Sequence, residues 1–191
     1  MKWISHQLIT ASAVLAATDN PTMAILAGAM SPLPDKVDLL CGAYGQSRIQ
    51  LYSHRKYSHF WGFWTILGMA TFVLITRHGA LLSSFGDYIV MFGKLASGDD
   101  GVKIVTVLLS NLAFWASIGS LFHIFEDFFS GMGVPLVFPN KISPHIKLYK
   151  TGALSEYIVT FCATSLCLWL FLEHNPAVRH AVLELISHLL S

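Results

Sequence analysis

The run from Val102 to Phe122 constrains this chain more than any other stretch. It is apolar, with Lys103 its one charged residue, and it is long enough to cross a bilayer, which takes about 20 residues. Its far end carries His123, Glu126 and Asp127, just before Gly131 and Gly133 break the helix. Residues four apart on a helix lie one above the other, so His123 and Asp127 share a face. An imidazole nitrogen and a carboxylate oxygen at that spacing can close on one metal ion. Ionisable groups in such a place are costly and usually functional. The plainer reading is a helix end reaching polar headgroups, where both groups are merely solvated.

Composition agrees with a membrane setting. The 191 residues are 54% hydrophobic and only 12% charged, with a mean hydropathy of +0.58, which suits one integral membrane domain better than a soluble one. A formal charge of +1, with no basic run, gives no reason to invoke nucleic acid. Cys41, Cys162 and Cys167 are odd in number, and two lie in an apolar segment. No disulfide framework or zinc ribbon is implied.

Lys2 and the apolar run to Ala16-Ala17 imitate a cleavable signal peptide. Yet the run passes straight into Thr18-Asp19-Asn20-Pro21 and resumes from Thr22 to Met30. Each half is too short to span, and Asp-Asn-Pro is turn chemistry with Pro21 able to open a second helix. The expectation is a retained helical hairpin dipping into the membrane, or one kinked helix, with a hairpin returning His6 to the end that carries Asp35. Pro32 and Pro34 then present Asp35 and Asp38 either on a rigid extended loop or at a helix start capped by Asp35. His54-Arg55-Lys56-Tyr57-Ser58-His59 leads into the apolar run Phe60 to Thr76. Tyr57, Trp61 and Trp64 have the look of an interfacial belt, and the two histidines could belong with Arg55 and Lys56 to a headgroup-contacting patch.

Further along, Tyr88 to Leu95 is too short to span and suits a surface position. Gly98-Asp99-Asp100-Gly101 offers an acidic start to the long helix. A loop with Pro135, Pro139 and Pro144 precedes Ser155-Glu156, a helix start, and a last span from Tyr157 to Leu172. Pro176 opens a final amphipathic helix. The fold expected is all-α: a polytopic membrane bundle with about four membrane-embedded segments over residues 1–175, followed by the amphipathic helix 176–191. On that last helix His180, Glu184 and His188 recur at intervals of four, a stripe able to bind a metal but equally explained as the polar face of an interfacial helix.

Topology gathers scattered residues. If the hairpin returns and the chain then crosses at 60–76 and back at 102–122, one membrane interface receives His6, Asp35, Asp38, His54, His59, His123, Asp127 and Glu156. Histidines with carboxylates suit zinc or manganese, and more than one ion could be held.

In this order, His6, Pro34-Asp35, His54-Arg55-x-x-Ser58-His59, His123-x-x-x-Asp127 and Gly131-x-Gly133-x-Pro135 resemble the YdjM-like membrane-bound metal-dependent hydrolases, a family that includes LexA-regulated bacterial inner-membrane proteins. The resemblance runs from His6 to Glu156. It implies metal ligation by His6, Asp35, His54, His59, His123 and Asp127, with Glu156 matching an acidic residue near the last span more loosely. The family's second aspartate follows the first by two, whereas Asp38 follows Asp35 by three, so Asp38 is not assigned. Similarity of the family to zinc-dependent phospholipases C implies a helical metal site acting on phosphoesters.

The function expected is hydrolysis of a phosphoester of a lipid or amphiphile through a metal-activated water. Asp35 would serve as general base or bridging ligand, and Arg55 or Lys56 would hold the phosphate. The competing class is a non-enzymatic membrane protein with a structural metal site. Lys36, Arg48, Arg55, Lys56, Lys141, Lys147 and Lys150 fall on the motif side and Arg77, Lys94, Lys103 and Arg179 opposite, which puts the motifs on the cytoplasmic face of a bacterial inner membrane.

Overall fold

The computed structural model describes residues 2–40, 58–78, 81–98, 100–131, 133–135 and 146–190, and every regular element among them is helical. The chain opens with α1, Trp3–Thr18, and α2, Pro21–Met30. Between them Asp19 adopts a left-handed conformation at φ 53°, Asn20 accepts the Met23 N–H at 3.1 Å, and Pro21 starts α2 where its missing N–H is harmless. The turn chemistry therefore makes a true hairpin. Its two arms approach so closely that a Cβ on Gly28 would lie 2.9 Å from both Ala11 Cβ and Gln7 O.

The proline segment forms a helix rather than an extended loop. α3, Leu33–Leu40, accepts Pro34 in its first turn and carries Asp35 beside it, both buried. Next come α4, Trp61–His78, and α5, Phe85–Ala96. A capping box starts α5: Ser84 Oγ accepts the Asp87 N–H, and Asp87 in turn accepts the Ser84 N–H at 2.8 Å. The long helix α6, Gly101–Phe128, begins at Asp100 as expected. It is followed by α7, Leu154–His174, and α8, Pro176–Leu190.

Helix α6 is the axis of the molecule, packing against α1 through α5. Trp115 joins Val14, Met23, Ala24 and Ala27 in one apolar cluster, and Ile104, Val107 and Leu108 join Leu82 and Tyr88 in a second. Gly119 lets α6 pass against the end of α2, where an added Cβ would sit 2.4 Å from Ala27 O and 2.8 Å from Ser31 N. Small residues at such a crossing are the usual means of bringing membrane helices together. Asn111 is fully buried and accepts the Leu82 N–H at 2.9 Å, tying the segment before α5 to α6.

Among the described residues, α6 and α7 are the helices long and apolar enough to cross a membrane. The α1–α2 hairpin and α4, expected as two further embedded segments, do not meet that measure. Half of the apolar window in α6 is buried inside the protein against 11% of that in α7, so α7 turns nearly all of its apolar surface outward. Trp64 departs from the expected interfacial belt: it is buried beside Ile124 and Val134, and its indole donates to Ser58 O at 2.6 Å. Trp61 is exposed, while Tyr57 lies outside the described residues.

Candidate metal centre

Three helices and one turn deliver the site. α1 supplies His6, α3 supplies Asp35, the turn before α4 supplies His59, and the last turns of α6 supply His123 and Asp127; all five are buried. The hairpin is what returns His6 to α3, and the one-turn spacing on α6 is what stacks His123 over Asp127.

The donor atoms converge closely. His59 Nε2 and His123 Nε2 are 3.3 Å apart. Asp35 Oδ1 lies 3.4 Å from His59 Nε2 and 3.6 Å from His123 Nε2. Asp127 Oδ2 lies 3.5 Å from His123 Nε2 and 3.6 Å from His59 Nε2. A tetrahedron with ligand distances of about 2.0–2.2 Å has edges of about 3.3–3.6 Å. The separations among Asp35, His59 and His123 therefore have the size of one face of a tetrahedral site for one ion, with Asp127 beside the two histidines. A second group of donors comprises His6, His123 and Asp127, with His6 Nε2 3.6 Å from Asp127 Oδ1. His6 Nε2 is buried without a hydrogen-bond partner, a state that costs free energy unless something else satisfies it. The arrangement fits a divalent ion in donor type, spacing and burial.

The far sides of Asp35, His59 and His6 are held. Asp35 Oδ2 accepts the Trp3 indole N–H at 3.0 Å, which turns Oδ1 toward the histidines. Ser58 Oγ gives its proton to Asp38 Oδ1, so it can only accept from His59 Nδ1, 2.9 Å away. That fixes the proton on Nδ1 and leaves Nε2 bare toward the cage. In the same way Glu126 Oε2 takes the His6 Nδ1–H at 2.6 Å, steadied by Thr10 Oγ1 donating to Oε1 at 3.1 Å. Metal-binding histidines are oriented in this manner by partners on the other ring nitrogen.

Electrostatics of the ion-free site follow from burial and pairing. Burial, the largest influence on His59, disfavours its charged form, but Asp127 and Asp35 outweigh it and raise the imidazole above its ordinary value. Burial likewise disfavours ionised Asp35, yet the His123 and His59 rings hold the carboxyl well below the usual range.

Of the residues expected from sequence, His6, Asp35, His59, His123 and Asp127 come together here. His54 and Arg55, with Lys56, lie outside the described residues. Glu156 is fully buried but belongs to neither donor group. Its Oε1 accepts the Lys2 N–H at 2.5 Å and the Ser5 hydroxyl at 2.9 Å, and its Oε2 accepts the Gly152 N–H at 2.6 Å. It ties the start of α1 to the start of α7 instead of facing the cage. Asp38 acts through Ser58 and is set back from the donors. His180, Glu184 and His188 are exposed on α8 and join no donor group. Sequence reasoning missed Trp3, Thr10, Ser58 and Glu126 as the residues that aim the ligands; Glu126, beside Asp127 in an apolar run, and Ser58, inside the His54–His59 motif, carried a signal.

A family model described as YdjM inner membrane protein matches residues 1–190. No curated protein and no solved structure matches the chain.

Proposed function

The chain belongs to the YdjM inner membrane protein family, and from that premise we propose that it is a metal-dependent hydrolase acting on a phosphoester of a membrane amphiphile. The observation that carries this reading is the position of Asp127 between two donor groups. One of its oxygens faces His59 and His123, the other faces His6. Asp35, His59 and His123 form one group and His6, His123 and Asp127 the other. Three protein donors is the number that leaves a coordination position open for water in catalytic sites. A divalent ion, zinc by donor type or manganese, supplies a Lewis acid for a phosphoryl oxygen and a water of lowered pKa.

The protein's own part is to hold and aim the donors. Of the two roles open to Asp35, ligand fits better than general base, since Trp3 engages one oxygen and the cage engages the other. Arg55 remains the proposed phosphate contact. Exposed Phe63, Ile66, Met69 and Phe72 on α4 and exposed Leu154, Ile158 and Phe161 on α7 support embedding of the whole bundle, with the α1–α2 hairpin entering from the site side and α8 lying along the interface. Lys36, Lys147 and Lys150 at the site end against Arg77, Lys94, Lys103 and Arg179 favour the cytoplasmic face.

A second reading has its own support. Asp127 Oδ2 stands within 3.6 Å of His59 and His123, and as a fourth donor beside Asp35 it would close the sphere, the mark of a structural ion. The deciding experiment assays metal-loaded protein on a long-chain phosphoester in mixed micelles and on its water-soluble headgroup analogue. The hydrolase reading expects turnover, with the long-chain compound preferred. Loaded protein inert on both, with a full complement of tightly bound ion, would favour the structural reading.

A further inference from the structure

Between α1, α6 and α7 runs a groove of about 320 Å³. Val159, Ala163 and Cys167 of α7 form one wall, at intervals of four, so the trough follows the helix axis for about 12 Å. Phe122 of α6 and Phe129 just past its end form the other, and Ala13 of α1 lines it from across, a side chain too short to fill it. The one carboxylate among its lining residues is that of Glu126, which holds His6.

We propose that this groove receives the hydrocarbon tail of the amphiphile whose phosphoester reaches the metal centre. The proposal rests on the hydrolase reading above and names where its substrate's chain lies. The trough lies along the two helices able to span a bilayer, so it runs in the direction that lipid tails take beside them. Its volume decides the kind of occupant. A stretch of partner helix about 12 Å long and about 10 Å across would fill roughly 900 Å³, far more than the groove offers, whereas a single alkyl chain fits. Glu126 lines the groove while its carboxylate is turned to His6 and Thr10, so a tail seated here lies one side chain away from His6. The lining itself is aromatic and aliphatic, which suits a chain that brings no hydrogen bonds.

The test uses full-length protein in phosphatidylcholine nanodiscs with dodecyl phosphate carrying a diazirine at the far end of its chain. Photolabelling is mapped by peptide mass, with and without excess unlabelled dodecyl phosphate. The expected result is labelling of the segment around Ala163 and Cys167 that falls about fivefold or more under competition. Ala163→Phe, which fills the trough, should cause a similar loss, and Leu166→Phe on the exposed face should not. Ala13→Leu, from the opposite wall, serves if Ala163→Phe does not fold. Labelling spread over the outward residues Phe161, Leu166 and Leu168 and indifferent to competitor would mean ordinary surrounding lipid and would overturn the proposal. Hydrolysis of dodecyl phosphate without competed labelling overturns the groove alone. Competed labelling in protein that hydrolyses nothing supports the groove and removes the hydrolase reading instead.

Discussion

Glu126 Oε2 and His6 Nδ1 meet at 2.6 Å although 120 positions separate the two residues in the chain. The contact joins the first helix to the end of the longest one at a buried position. It also dictates which imidazole nitrogen is bare, since the Nδ1 proton is committed to the carboxylate and Nε2 is left 3.6 Å from Asp127 Oδ1. Removing such an orienting partner typically weakens metal affinity about 10–100-fold. Glu126→Ala should fall in that range, and Glu126→Gln should lose less because its carbonyl still accepts from Nδ1. Competition against a chelating indicator measures both. Unchanged affinity in Glu126→Ala would remove Glu126 from the site.

Ligation itself separates the α6 pair from the α8 stripe. His123→Ala and Asp127→Ala should each abolish stoichiometric metal while the protein stays in the membrane fraction, because His123 belongs to both groups and Asp127 faces histidines of both. His180→Ala and His188→Ala alter exposed positions and should keep the wild-type metal content. Elemental analysis of the purified variants decides it. Metal lost from the α8 variants and kept in the α6 variants would place the centre elsewhere.

Glu156 offers a sharper contrast, because the family resemblance makes it a ligand and its contacts make it a tie. Glu156→Ala strips acceptors from Lys2 N–H, Ser5 Oγ and Gly152 N–H. Losing hydrogen bonds to a charged acceptor costs about 1.5–3 kcal/mol. A lower unfolding temperature in detergent with full metal occupancy is expected. Loss of metal without loss of stability would restore the ligand assignment.

What sequence alone could supply follows from how far each interaction reaches along the chain. The His123–Asp127 pair is one helical turn apart, and the Asp19-Asn20-Pro21 turn is local chemistry, so both were readable. The meeting of His6, Asp35 and His59 needed only the crossing pattern of the helices. Trp3, Ser58 and Glu126 were not readable as aiming residues, because each acts through one atom of a partner, and that pairing is set by packing. Trp64 shows the same limit: its place in an aromatic run suggested an interface, and Val134 and Ile124 bury it. Glu156 was placed at the correct end of the bundle, yet the backbone donors beside it claimed its oxygens.

Acidity should move the ion-free and loaded proteins in different ways. In the ion-free site His59 is raised above its ordinary value, so its contribution to stability is complete below about pH 6.5 and is lost as pH rises through the folded value. Asp35 is depressed, so its contribution is present above about pH 3.9 and is lost as pH falls through its folded value. These two groups therefore favour the ion-free fold between about pH 4 and 6.5. Metal binding needs the same imidazole without its Nε2 proton, so affinity must rise with pH. The gap in unfolding temperature between zinc-loaded and ion-free protein should widen from pH 6 to pH 8, as about one proton ceases to compete for the site. Thermal melts in detergent across that range, with and without added zinc, provide the measurement. A gap that does not change with pH would mean that the ion binds without displacing a proton from His59, and the cage built on His59 Nε2 would have to be abandoned.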